Sequence, residues 1–161
     1  MDEAAAARAR ERWLRQQAGE EATLVGVLLD LAERGTAVVV ESAGGRRQRA
    51  TITAVAEDFC ALRTDQGGDA LVAYAGVDSV APLDDVASSG DRPRALDMTL
   101  IEAIAVMAAE RPRVLVVARD GTSRAGELTS VGRDVVTMRT DGTPRHVYLP
   151  VSAIAEVAIT G

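Results

Sequence analysis

Lysine is absent from this chain of 161 residues, and all 18 of its basic side chains are Arg. Against 24 acids that leaves a net charge of −6, which argues against strong non-specific DNA binding, since such binding rests on neutralising phosphates. A single cysteine, Cys60, excludes an internal disulfide. It sits in the apolar run "DFCALR" and is expected to be a buried, inert thiol rather than a nucleophile. One histidine, His146, and no grouped cysteines leave a zinc site without a ligand set. Aromatics are reduced to Trp13, Phe59, Tyr74 and Tyr148. No apolar run approaches the ~20 residues that span a bilayer. The opening "MDEAAAARARERW" alternates charge where a secretory signal would be continuously apolar. A cytoplasmic location away from membranes is the resulting expectation. No phosphate-binding glycine loop, dinucleotide fingerprint, metalloprotease motif or nucleophile elbow is found. The chain therefore reads as non-catalytic and without a cofactor; a hydrolase or transferase would need a pocket joining His146 to acidic residues.

What is present is a repeat. An apolar share of 47% suffices for a real core, and the sequence is written twice. Sliding the chain by 76 residues aligns 23–65 with 99–141 without a gap, at 12 identities in 43 positions. Among them are Thr23/Thr99, Val38/Val114, Gly45/Gly121, Thr53/Thr129, Asp58/Asp134 and the shared "RTD" of 63–65 and 139–141. Removing two residues from the "QGGD" turn then sets Tyr74 on Tyr148, Val77 on Val151 and Val80 on Ile154. Fixed-offset similarity over whole units indicates duplication.

Each copy reads as a helix followed by short strands. "TLIE" places Thr99 and Glu102 at capping-box spacing. Ile101, Ile104 and Ala108, beside Leu100 and Met107, form an apolar stripe ended by Arg111 and Pro112. Leu24, Leu28 and Leu31 make the earlier stripe, closed by Gly35. Strand-like runs then turn through Gly44-Gly45 and Asp120-Gly121. "DFCALRTD" and "DVVTMRTD" supply third strands, and the last runs break at Gly76 and Pro150. A helix and about five tightly connected strands in roughly 60 residues suit a small closed barrel. Residues 1–19 are expected to form an extra helix, 20–82 a first barrel, 83–97 a Pro/Gly/Ser/Asp linker and 98–161 a second barrel. The class is mainly β with helices (α+β), each barrel closing around its own core.

In the second copy, "VLVVARDGTSRAGELTSVGRDVVTMRT" with "VYLPVSAIAEV" resembles the Sm-like barrel of LSm proteins and bacterial Hfq. Turn Gly121, second-strand Gly126 followed by Leu128 and Val131, an apolar third strand and a terminal strand pair carry the resemblance. It covers most of residues 23–158. Other small SH3-like barrels share these patterns, among them ribosome-maturation and translation-factor domains. The resemblance implies a bacterial, tandem, non-catalytic protein that self-associates through edge strands, often into rings, and binds RNA at loops. Departures accompany it. The family's Asp after the second strand falls at Gly132 and Ala56, its base-stacking aromatic at Asp134 and Asp58, and its Tyr-Lys-His signature is missing.

RNA contact is accordingly expected from Arg-bearing loops. "GGRRQR" puts Arg46, Arg47 and Arg49 at a hairpin tip, where guanidinium groups can grip phosphates; a solvated turn is the plainer and preferred reading. Arg119 and Arg124 stand in the matching loop, and "RHVY" adds Arg145 and His146. Arg111, Arg113 and Arg133 are further candidates for a basic face. His146 otherwise faces solvent or a subunit contact. Asp58 and Asp134 are expected to cap turns by accepting amides, and "RTD" to close the third strands. Trp13 and Leu14 on the first helix are expected to dock on a barrel; the sharper alternative is a helix for a protein partner. The expected alternative function is a protein–protein scaffold that does not bind nucleic acid.

Overall fold

Residues 2–20, 22–86 and 96–160 are described by the structure, a computed structural model. They form a mixed α+β molecule of three helices and ten strands. The first half holds β1 (Ala37–Ser42), β2 (Arg46–Val55), β3 (Phe59–Thr64), β4 (Asp69–Ala73) and β5 (Val77–Pro82). The second holds β6 (Arg113–Ala118), β7 (Ser123–Val131), β8 (Val135–Thr140), β9 (His146–Pro150) and β10 (Ile154–Ile159). All ten pair antiparallel in one open sheet, ordered β5-β1-β2-β3-β4-β10-β6-β7-β8-β9.

This continuity departs from the expectation of two separate closed barrels. The cause lies in β4, whose outer edge would otherwise leave a row of free amides and carbonyls. β10 covers it, with Glu156, Val157 and Ala158 opposite Val72, Leu71 and Ala70. Taken half by half, the order β5-β1-β2-β3-β4 recurs as β10-β6-β7-β8-β9, so the duplication in the sequence is also one in topology.

Local details repeat as well. β2 skips a register position at Thr53 against β3, and β7 skips one at Thr129 against β8. Both hydroxyls donate across the bulge, Thr53 Oγ1 to the Ala61 carbonyl at 3.2 Å and Thr129 Oγ1 to that of Thr137 at 3.0 Å. A bulge bends its strand and increases local twist, and each copy curls at the same place. Gly126 is buried where a Cβ would lie 2.2 Å from the Arg139 carbonyl oxygen, so β7 and β8 approach closely only without a side chain there.

Beyond the third strands the repeat needs correcting. Phe59 faces Ala73, while its counterpart Val135 faces Pro150. The short turns that follow are 74–76 and 151–153. Tyr74 therefore corresponds to Val151, Val77 to Ile154 and Val80 to Val157, not to Tyr148, Val151 and Ile154. The second half has one more residue after its third strand, where sequence matching removes two. The expected strand ends at Pro150 and the break at Gly76 are both present.

Helix α2 (Leu24–Arg34) starts at Thr23, whose hydroxyl accepts the Gly26 amide at 3.0 Å, and ends at Gly35 with φ of 64°. Leu28 and Leu31 enter a core with Val38, Val40, Ile52, Leu62 and Val72. Helix α3 (Leu100–Ala108) starts at Thr99, whose hydroxyl oxygen accepts the Glu102 amide at 3.4 Å; the Glu102 carboxylate accepts a hydrogen bond from the Thr99 hydroxyl at 2.8 Å rather than from a backbone amide. Leu24 of the expected first stripe stays exposed at the start of α2. The α3 residues Leu100, Ile104 and Ala108 join Val114, Val116, Leu128, Val136 and Met138. Ala56, Phe59 and Ala73 of the first half enter this second core, so it does not close on its own.

Residues 87–95 of the expected linker 83–97 lie outside the described residues. Its far end is already paired: the Leu96 amide donates to the Val55 carbonyl at 2.8 Å. Helix α1 (Glu3–Glu20) leaves Trp13 60% and Leu14 53% exposed, against the expected docking. Among the described residues no helix is long and apolar enough to cross a membrane.

Two substitutions test this packing. A Cβ on Gly76 would stand 2.6 Å from Ala155 Cβ, so Gly76→Ala is expected to lower urea-unfolding stability by ~1–3 kcal/mol. The buried Ser42 hydroxyl has no hydrogen-bond partner among the described residues, and Ala118 holds its counterpart position. Ser42→Ala is expected to raise stability by about 1 kcal/mol.

Candidate functional site

The sheet brings the two first hairpins together. Gly44 lies between β1 and β2, Gly121 between β6 and β7, and a Cβ on Gly44 would sit 2.7 Å from Gly121 Cα. The expected loop arginines Arg46, Arg47, Arg49, Arg119 and Arg124 thus come from neighbouring turns. A polar cleft of ≈ 710 Å³ runs along the junction, lined by Arg46, Arg47, Arg49, Asp65, Leu115 and Ile159.

The arginines of β2 are nonetheless engaged with carboxylates. Arg46 places Nε and Nη2 each 3.1 Å from Oε2 of Glu156, a fully buried side chain on β10. Gln48 donates to the other oxygen of the same carboxylate. Arg47 pairs with Glu41 at 3.4 Å and Arg49 with Asp65 at 3.3 Å, both pairs largely in solvent and so weakly held. Sequence reasoning missed Glu156, because an acid inside "SAIAEVAI" declares no partner until β10 meets β4. A carboxylate without water must be paired and hydrogen-bonded, and Arg46 with Gln48 meets that demand across the two halves.

In the adjoining hairpin, Arg119 donates to the Ser152 carbonyl at 3.3 Å. The Thr122 amide holds the exposed Asp120 carboxyl below the usual carboxylate range, and Arg124 adds to the shift. Arg111 and Arg113, candidates for the expected basic face, are paired with Glu127 and Asp141, again in largely exposed and weakly held pairs.

Arg145 and His146 stand apart from these turns, at the β9 edge of the sheet. His146 lies across from Arg139, and Tyr148 across from Thr137. Tyr148 is 70% exposed. Arg133, Arg139 and Arg145 are exposed and make no ion pair with a described residue. Arg139 and Tyr148 were not singled out from the sequence. The signal was there in "RHVYLP", where Val147 and Leu149 turn inward and His146, Tyr148 and Pro150 alternate with them.

The repeated Asp pair divides. Asp58 does accept an amide, but that of Leu100 at 2.8 Å, capping α3 in the other half. The Asp134 backbone carbonyl accepts Val151 N–H at 2.8 Å. Both "RTD" runs close their turns: Thr64 Oγ1 accepts the Gly68 amide at 3.2 Å, and Thr140 Oγ1 donates to the Pro144 carbonyl. Tyr74 donates its hydroxyl to the Ala56 carbonyl at 2.7 Å, and burial pushes its acidity well down. Among the described residues no three His, Cys, Asp or Glu side chains are grouped to hold a metal ion.

Comparison with protein-family models, curated proteins and solved structures gives no match to this chain.

Two measurements follow from the buried groups. Arg46→Ala strands the Glu156 carboxylate and is expected to cost ~1–3 kcal/mol in thermal or urea unfolding, whereas Glu156→Gln with Arg46 intact costs less. Burial raises the Cys60 thiol from 9.0 to about 12. Native protein at pH 8 should resist an aromatic disulfide reagent that reacts at once after unfolding. Between 9.0 and about 12 the unfolded chain releases this proton first, so stability falls as pH rises through that window.

Proposed function

We propose that this is a non-catalytic, Sm-like tandem module that joins its two units by edge-strand pairing within the chain and holds single-stranded RNA on the exposed face of β8 and β9. The observation that carries the first part is the recurrence of one strand order on both sides of the β4–β10 pair. Support for the second part comes from Arg139 and His146, which share the exposed face of β8 and β9 with the ring of Tyr148, and from exposed Arg145 just before β9. A ring of this kind offers a stacking surface of ~1–3 kcal/mol per base, and unpaired guanidinium groups are left for phosphates. Arg47 and Arg49, at the junction cleft, are a weaker phosphate surface because each already has a carboxylate.

A protein-binding scaffold is the second reading, favoured by the exposed Trp13 and Leu14 of α1. Filter binding with uridine- and adenosine-rich oligonucleotides across salt separates the two. Binding that weakens with salt and falls several-fold in Tyr148→Ala and Arg139→Glu is expected. No binding at low salt removes the RNA reading and leaves the scaffold.

A further inference from the structure

The duplication makes a comparison possible inside one molecule. β9 is the counterpart of β4, and β5 that of β10. A second copy laid on β9 as β10 lies on β4 would set its Ser79, Val80 and Ala81 opposite Leu149, Tyr148 and Val147. Every contact that makes the internal junction fit can then be checked at its outer counterpart.

The backbone is the first difference. Successive amides of a strand point alternately to its two neighbours. Leu83 N–H donates inward to the Ala37 carbonyl at 2.9 Å, so position 82 directs its amide to the free edge of β5. That position is Pro82, which has no amide; its counterpart in β10 is Ile159. Likewise Val151 N–H donates inward to Asp134 at 2.8 Å. Position 150 therefore faces the free edge of β9, and it is Pro150 where β4 has Ala73. Each outer edge has lost a donor that its inner counterpart keeps.

Side chains differ in the same sense. At the internal junction Gly76 packs on Ala155, with no room for a Cβ. The counterparts are Ala153 and Asp78, so a copy on β9 would drive a Cβ against an acidic residue at a bulge. Gly44 and Gly121 touch at the internal junction; the outer counterpart of Gly44 is Asp120. The buried Glu156, held by Arg46 and Gln48, is matched outside by Ser79 with Thr122 and Arg124, which make no such pair.

We infer that the internal junction is keyed, and that Asp78, Pro82, Pro150 and Ala153 close the two outer edges to a second copy of this chain in that geometry. Proline, charge and bulges at edges are means by which sheets avoid uncontrolled pairing. Here they stand at the positions where the inner edges carry Ile159, Ala73, Ala155 and Gly76. Strand register, backbone hydrogen bonds and the close approaches at the junction carry it, independently of RNA binding.

Light scattering of the whole chain over a wide concentration range tests it. A constant monomer mass is expected, and growth to oligomers overturns the inference. Writing the inner residues onto the outer edges, Asp78→Ala, Pro82→Ile, Pro150→Ala and Ala153→Gly together, is expected to give a mass that rises with concentration. Pro82→Ile with Pro150→Ala alone is the milder form, at positions outside both cores. A folded variant of either kind that stays monomeric overturns the assignment. The reverse exchange, Ala155→Asp, is read by hydrogen exchange. Loss of protection at Leu71 and Ala73 is expected; unchanged protection there also overturns it.

Discussion

Pairing of β4 with β10 is the constraint on which the remaining structure depends. It converts a strand that would be the rim of one half into an interior strand of the whole sheet. β10 is thereby buried on both faces. Val157 turns to the second core beside Val116 and Leu71, while Glu156 stands opposite Val72 of the first. A strand in that position has no solvent side on which to put a charge. Its one carboxylate is met by Arg46 and Gln48, and its bulge residue Ala155 is met by a glycine.

Part of the charge pattern along the junction follows from this arrangement. Arginines that look like a phosphate grip in "GGRRQR" become links to Glu156, Glu41 and Asp65 once the chain folds. Arginine suits such links because its planar fork reaches a carboxylate through two nitrogens, as Arg46 does. Arg133, Arg139 and Arg145, which make no ion pair with a described residue, lie toward β8 and β9, with the one strongly exposed tyrosine.

Much of the local structure was legible. Thr99 and Gly35 mark helix ends, and the third strands fall as read. The repeat was legible up to Asp141 because both copies keep equal spacing to that point. It was misread beyond, since one extra turn residue hides in a stretch whose Ala and Val resemble one another at several offsets. Contacts between halves were not legible. Asp58 reads as a local turn residue, yet it bonds an amide 42 positions away. Nothing in the composition of "SAIAEVAI" says that β4 will be its neighbour. Trp13 is the opposite case: an apolar residue on a helix suggests docking, but α1 has few others beside it to form a face.

Asp58, Ala56 and Phe59 give the molecule a direction in time. The amino-terminal half carries the acceptor for the first amide of α3 and part of the wall of the second core. During synthesis these groups emerge tens of residues before the helix and strands that use them. The earlier copy thus already carries groups that the later one needs to cap α3 and to fill its core. A gene split between the copies would separate a mould from its cast, even though each fragment retained a full set of five strands.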